Sequence, residues 1–282
     1  DGARARRSRS SRCRRNERRS TDAQLSSPRA DEREDTVNMY LEFHYANTLD
    51  LFAKESFVPA DALGFAERVT RRAVQLGLDR MQHRNYWNGD KTTQPIRALD
   101  IGCGVGGSAF HLAKGFDEVV AFDSSRAFID ACKRIQERGN VSARVPGGDV
   151  LCERPCSAKE ARKVRFHVGN ACEMVRDAEI LGKFDCVIMA NLLCRLPKPR
   201  ACLDGVNEVV STRGHVFIFT PWSWLDEYTP DAEERLDEFS LVDEMEERGF
   251  LLSGRWEEPC FIREHARKAQ YIVSQAHWFE RI

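Results

Sequence analysis

Residues 98–107 read Ala-Leu-Asp-Ile-Gly-Cys-Gly-Val-Gly-Gly. An apolar run ends at Asp100, the chain turns on closely spaced glycines, and a helical pattern follows from Ser108 to Lys114. The stretch reads as a strand, a tight turn and a helix start. Glycine takes the backbone angles such a turn needs and has no Cβ to hold a ligand away. The first turn of a helix brings unpaired N–H groups to the same place. A second apolar run, Val119 to Phe122, ends in Asp123, 21 residues after Gly102. An acid at the tip of the second strand is where an α/β nucleotide site holds a ribose.

Outward from this turn, strand patterns at 97–101, 118–123, 164–169, 184–190 and 214–220 alternate with helical patterns at 107–115, 125–137 and 199–210. Alternation of this kind predicts a parallel sheet with helices on both faces and a ligand at the carboxyl ends of the strands. An acidic helix at 237–249 and two β-like runs, Phe250 to Ile262 and Ala269 to Phe279, complete the pattern. The expected fold is α/β and Rossmann-like, with a mostly parallel seven-stranded sheet. Two amphipathic helices, 36–54 and 60–78, precede the first strand and are expected to cap the site within a leader segment of 36–94. Residues 138–163 exceed an ordinary loop and read as a surface insertion with a short helix at 157–162.

The chain has 282 residues, 42% hydrophobic and 31% charged, which suits one soluble domain (36–282) behind a disordered tail (1–35). No apolar run approaches the ~20 residues of a membrane span. Residues 1–20 hold nine arginines against Asp1 and Glu17, a balance of +7, so the formal −1 of the chain leaves −8 on the rest. So acidic a body is ill suited to phosphate backbones, which argues against nucleic acid as partner. The Arg- and Ser-rich tail reads as a linker or cut end, an organellar transit segment, or a weak RNA or membrane contact. Ten cysteines lack zinc-ribbon spacing, and most lie in apolar contexts, which predicts free thiols, a reducing (cytoplasmic) compartment and no metal.

Two cofactors fit the turn. Gly102, Gly104 and Gly107 satisfy the dinucleotide pattern G-x-G-x-x-G. Asp100, Gly102, Gly104 and Gly106 form D-x-G-x-G-x-G, which resembles motif I of the class I S-adenosylmethionine (SAM) methyltransferases. The later segments continue that second resemblance. Val168-Gly-Asn-Ala-Cys172 sits where the family places its adenine contact, with Asn170 in place of the usual acid. Phe184 to Leu193, with Asn191 at the strand tip, resembles motif IV, and Val206 to Pro221 resembles motif V. The resemblance implies SAM as cofactor, with Asp100, Gly102, Cys103, Gly104, Gly106, Asp123, Ser124, Asn170, Ala171 and Asn191 around it.

Three segments carry more aromatic and charged residues than a scaffold needs: Tyr40-Leu-Glu-Phe-His-Tyr45, Thr220 to Pro230, and Pro259 to Tyr271. Together with Ala190-Asn-Leu-Leu-Cys-Arg-Leu196, they resemble the C-terminal methyltransferase domain of the ovothiol-synthesis proteins (OvoA), over about residues 37–282. That resemblance implies N-methylation of the imidazole π-nitrogen of 5-thiohistidine, giving ovothiol A. It also implies a non-haem-iron sulfoxide synthase as partner, in cis or in trans. Glu42, His44, Tyr45 and Asn191 are candidates to fix the ring tautomer, with Tyr45 or His44 expected on the ring. Arg263 or Arg267, beside Lys268, is expected to clamp a carboxylate. Tyr40, Phe43, Arg195, Trp222 and Tyr228 complete the expected acceptor pocket. The alternatives are a methyltransferase of another small acceptor and a SAM-binding partner domain without turnover.

Overall fold

The computed structural model describes residues 32–46, 58–87, 94–145 and 148–282. The expected tail up to residue 31, and the part of the first expected helix from 47 to 54, lie outside them. β1 (Arg97–Ile101) is buried on both faces apart from its first residue, as a central parallel strand must be. It pairs in parallel with β2 (Glu118–Asp123) on one side and with β6 (Phe184–Ala190) on the other. β5 (Val164–Val168) adds in parallel outside β2, and β7 (Val210–Thr220) in parallel outside β6. The long antiparallel hairpin of β8 (Phe250–His265) and β9 (Lys268–Arg281) closes the far edge, with β9 against β7. The seven-stranded order is β5-β2-β1-β6-β7-β9-β8. Strand order reverses between β1 and β6, so the ligand crevice of such a sheet lies at their carboxyl ends.

Side chains alternate along each strand between two cores. Ala98, Val119, Phe217 and Phe219 face a layer containing α2 (Phe65–Trp87), α3 (Gly107–Leu112) and α4 (Arg126–Arg138). Leu99, Ile101, Val187 and Met189 face the other, which holds α7 (Pro199–Val209) and α8 (Glu238–Glu247). Ser125 caps α4 by accepting from the Phe128 N–H at 3.1 Å, and Gly139 ends it in the left-handed conformation.

The segment before the sheet differs in its bounds from the periodicity. α1 (Glu34–Tyr45) ends where Ala46 turns extended, and α2 starts only after Gly64, at positive φ, and runs on to Trp87. The stretch 138–163 holds the hairpin β3 (Asn140–Val145) and β4 (Gly148–Glu153), followed by α5 (Ala158–Ala161). It is more than an excursion over the surface: Ala143, Val145, Val150 and Cys152 are buried, and the hairpin packs on α1. A further short helix, α6 (Met174–Leu181), follows β5, where the periodicity gave none. No helix among the described residues is long and apolar enough to cross a membrane.

Candidate active site

The glycine turn is built by bonds to its neighbours. Gly102 and Cys103 both donate their N–H to the carbonyl of Phe122, at 2.9 and 3.0 Å, fastening the turn to β2. Gly104 donates its N–H to the Asp123 carboxylate at 2.9 Å. That carboxylate also accepts the Ser125 N–H at 2.9 Å, so the acid at the tip of β2 is held in place from both sides. Gly106 lies at φ 88°, and a Cβ there would stand 2.9 Å from the Cys132 sulfur and 3.0 Å from the Phe166 ring. Both the backbone angle and the packing admit only glycine. Cys103 is buried, and its thiol lies 3.7 Å from the Gly104 carbonyl. Ser124 is exposed immediately after β2.

Beneath the turn, Asp100 is 1% exposed and accepts a hydrogen bond from the Ser108 hydroxyl at 2.8 Å. Burial pushes its carboxyl up to about 7, with Asp123 acting in the same direction and Ser108 against it. An acid poised at neutrality under the turn suits a ligand that brings a positive charge. Ser108 carried no sequence signal beyond its place in the first turn of the following helix.

α1 lies across the turn and divides its residues by role. The Tyr45 hydroxyl donates to the Val105 carbonyl at 2.6 Å in a buried position. The Tyr45 hydroxyl, expected on an acceptor ring, is here bonded to the backbone of the turn. His44 accepts the Gly107 N–H on Nδ1 at 3.2 Å, and burial holds its pKa down to about 4. Tyr40 packs its ring 4.9 Å from that of Phe128, while Phe43 stacks on Phe65 away from the turn.

At the tips of β6 and β7 the backbone takes angles that side chains disfavour: Asn191 has φ 56° and Trp222 φ 55°. Such conformations cost of order 1–3 kcal/mol and gather at functional edges. Asn191 accepts from the Ser274 hydroxyl at 2.6 Å and extends its amide NH₂ toward the Cys260 sulfur at 3.8 Å. Trp222 donates its indole N–H to Gln275 at 3.1 Å. The loop after β7 is anchored through Thr229, whose buried hydroxyl donates to the Leu196 carbonyl at 2.7 Å. This brings Tyr228 under the Arg195 guanidinium, 4.7 Å from the ring centroid. Arg195, Asp123, Tyr228 and Cys260 are the charged and polar neighbours of the Tyr40 phenol, whose pKa burial raises and Arg195 draws back. Cys260 and Thr229 joined this group without being singled out by the sequence.

The expected carboxylate clamp is not assembled. Arg263 is 9% exposed and bonded to Glu42, which is 4% exposed, so the pair ties the hairpin to α1. Arg267 sits in the exposed turn between β8 and β9, and Lys268 pairs there with Glu264 at 2.5 Å. Both stand at the hairpin tip, and among the described residues neither is brought to the glycine turn. On the other flank, exposed Asn170 accepts the Cys172 N–H at 3.0 Å and donates to Glu173 at 2.9 Å. It caps the turn in which Ala171 is buried, and its carbonyl oxygen has a second lone pair for a further donor.

A Rossmann-like sheet, a glycine turn at its switch point and acids beneath and beside that turn define the architecture of the class I SAM methyltransferases. The family model described as "Methyltransferase domain" matches residues 65–266, and the chain belongs to that family. It is a methyltransferase, and its cofactor is SAM. The chain resembles the N-methyltransferase NodS from Bradyrhizobium japonicum in complex with S-adenosyl-L-homocysteine (SAH), at 14% identity, over 87% of this chain and 98% of that one, with TM-score 0.48. It also resembles a SAM-dependent methyltransferase from Methanosarcina mazei, at 19% identity, over 72% and 97%, with TM-score 0.45. A third resemblance is to TehB from Haemophilus influenzae, at 13% identity, over 72% and 62%, with TM-score 0.46. No curated protein matches the chain. The residues fit SAM: Asp123 stands at the tip of β2, where ribose hydroxyls are held, the Gly106 cradle leaves no room for a Cβ, and the Asp100 carboxyl lies buried beneath the turn.

Proposed function

We propose that this methyltransferase acts on the imidazole π-nitrogen of 5-thiohistidine and gives ovothiol A. The observation that carries the reading is Arg195. Its exposed guanidinium lies over Tyr228, beside Tyr40. A cation placed so, on an acidic body, suits the carboxylate of a small amino acid. The segments around it are those that resemble the ovothiol-synthesis proteins. The acceptor is then supplied by an enzyme that installs sulfur on the histidine ring, an iron-dependent sulfoxide synthase in cis or in trans.

SAM supplies a methyl group on a sulfonium, ready for in-line displacement. The chain's own residues have three tasks: to hold the acceptor by its carboxylate at Arg195, to keep its ring in line, and to exclude water. A neutral imidazole nitrogen already has a lone pair, so no strong base is needed. The tautomer must be fixed by a hydrogen bond to the other ring nitrogen. Asn191, at the tip of β6, and the Tyr40 phenol are the polar groups proposed for that bond.

The test is mass spectrometry on the purified chain with SAM and 5-thiohistidine, histidine or no acceptor. A product heavier by one methyl with 5-thiohistidine alone is the expected result. Transfer to a different carboxylate, with none to 5-thiohistidine, overturns the acceptor and keeps the methyltransferase.

A further inference from the structure

His44 carries information that the methylation reading leaves unused. The Gly107 N–H donates to its Nδ1 at 3.2 Å, so that nitrogen holds a lone pair. In a neutral imidazole the proton then sits on Nε2. Nε2 faces the middle of the glycine turn: a Cβ at Gly104 would lie 3.3 Å from it. Among the described residues, the hydrogen bond that the His44 ring makes is the one from Gly107, on Nδ1. His44 is thus a donor fixed by the backbone and aimed along the turn. With no lone pair on Nε2, it has no means of taking a proton from an acceptor.

An N–H donor is met by any acceptor, and the strongest that SAM carries is its carboxylate, which is ionised and only accepts. SAM brings three kinds of polar group to such a turn. Its ribose hydroxyls both donate and accept, and they are matched by the Asp123 carboxylate. Its ammonium only donates, so it cannot receive the His44 N–H. Its carboxylate only accepts, and among the acids of this turn it needs a neutral donor. We propose that His44 Nε2–H donates to the carboxylate of the cofactor's methionyl part, making His44 a cofactor-positioning residue rather than an acceptor contact. The inference rests on SAM as cofactor and is independent of 5-thiohistidine, so failure of either reading leaves the other standing.

Two ligands and two variants test it by titration calorimetry on the whole chain. SAH carries the amino-acid part, and 5′-methylthioadenosine has the same nucleoside and sulfur without it. His44→Asn keeps an oxygen near the place of Nδ1, for the Gly107 N–H, and removes the distal donor. His44→Gln places an amide N–H near the position of Nε2. The expected result for His44→Asn is about a tenfold weaker SAH affinity, the scale of one hydrogen bond to a charged group, with 5′-methylthioadenosine bound as by the parent. His44→Gln is expected to keep most of the parent's preference for SAH. Equal loss of both ligands in His44→Asn overturns the proposal and makes His44 a prop of the turn. Unchanged affinity for both overturns it as well, as does loss of all binding in the two variants together.

Discussion

Asp100 is a carboxyl in a place that disfavours its charge. Its ordinary value is 3.8, and the fold raises it to about 7 because burial strips the carboxylate of water. Between these values the folded chain holds a proton that the unfolded chain has released. Stability therefore falls as pH rises through that window and levels off above it. Three pH units correspond to about 4 kcal/mol at most. Asp100→Asn removes the charge and keeps the shape, since Ser108 can reverse its hydroxyl. The ligand-free variant is expected to melt higher than the parent at pH 8 and to bind cationic SAM more weakly, as read by thermal melts and calorimetry; a lower melting temperature at pH 8 would refute the assignment. Arg195→Ala is expected to raise the acceptor KM ten- to a hundredfold with little change in SAH affinity, whereas Arg267→Ala at the hairpin tip should leave both unchanged. Steady-state kinetics separates the two. At this scale the glycine turn was legible because positive φ is written in the residue type itself. The roles of His44 and Tyr45 were not. Adjacent helical residues point about 100° apart, and only packing decided that Tyr45 reaches the Val105 carbonyl while His44 faces Gly104.

Among the elements, α2 and the end of α3 approach at a pair of glycines. A Cβ on Gly77 would come 2.1 Å from the Gly115 carbonyl oxygen, and a Cβ on Gly115 would come 2.6 Å from that of Val74. Gly77→Ala gains ~1 kcal/mol of helix propensity. Overpacking against side chains costs ~1–3 kcal/mol, and here the obstacle is backbone, which cannot rotate away. The clash wins, so the variant is expected to melt several degrees lower; an unchanged or higher melting temperature would show that the helices separate without cost. The fully buried parallel strands were legible because burial on both faces leaves continuous apolar runs. The hairpin at 140–153 was not, because its inward positions are as small as Ala143 and are interleaved with Ser142, Arg144 and Asp149. α6 was hidden for the opposite reason. Met174, Ala178 and Leu181 do pack on the second core at helical spacing, but only Met174 is fully buried, and Val175 (52% exposed) and Ile180 (89% exposed) put apolar residues on the outer face and blur the pattern.

For the molecule as a whole, the crevice depends on α1 staying over the glycine turn, and two ion pairs from the β8–β9 hairpin hold that arrangement. Arg263 pairs with Glu42 on α1. Arg68, on α2, pairs with Glu258 at 2.5 Å and also donates to the carbonyls of Leu63 and Pro259. Removing one partner of a buried pair costs ~3–5 kcal/mol, while replacing both with groups of similar shape is often neutral. Arg263→Met takes the guanidinium away from the Glu42 carboxylate, which lines a space with Phe43, Ala46 and Phe261. The single variant is therefore expected to melt far below the parent, and Glu42→Gln/Arg263→Met to recover most of the loss. Because Tyr40 and His44 ride on the same helix as Glu42, SAH affinity should fall and recover in parallel with the melting temperature. That parallel separates a bolt from a clamp. If Arg263 held the acceptor instead, the double variant would regain stability and SAH binding while its acceptor KM stayed high. Measuring melting, SAH affinity and KM on the parent and the two variants decides between them.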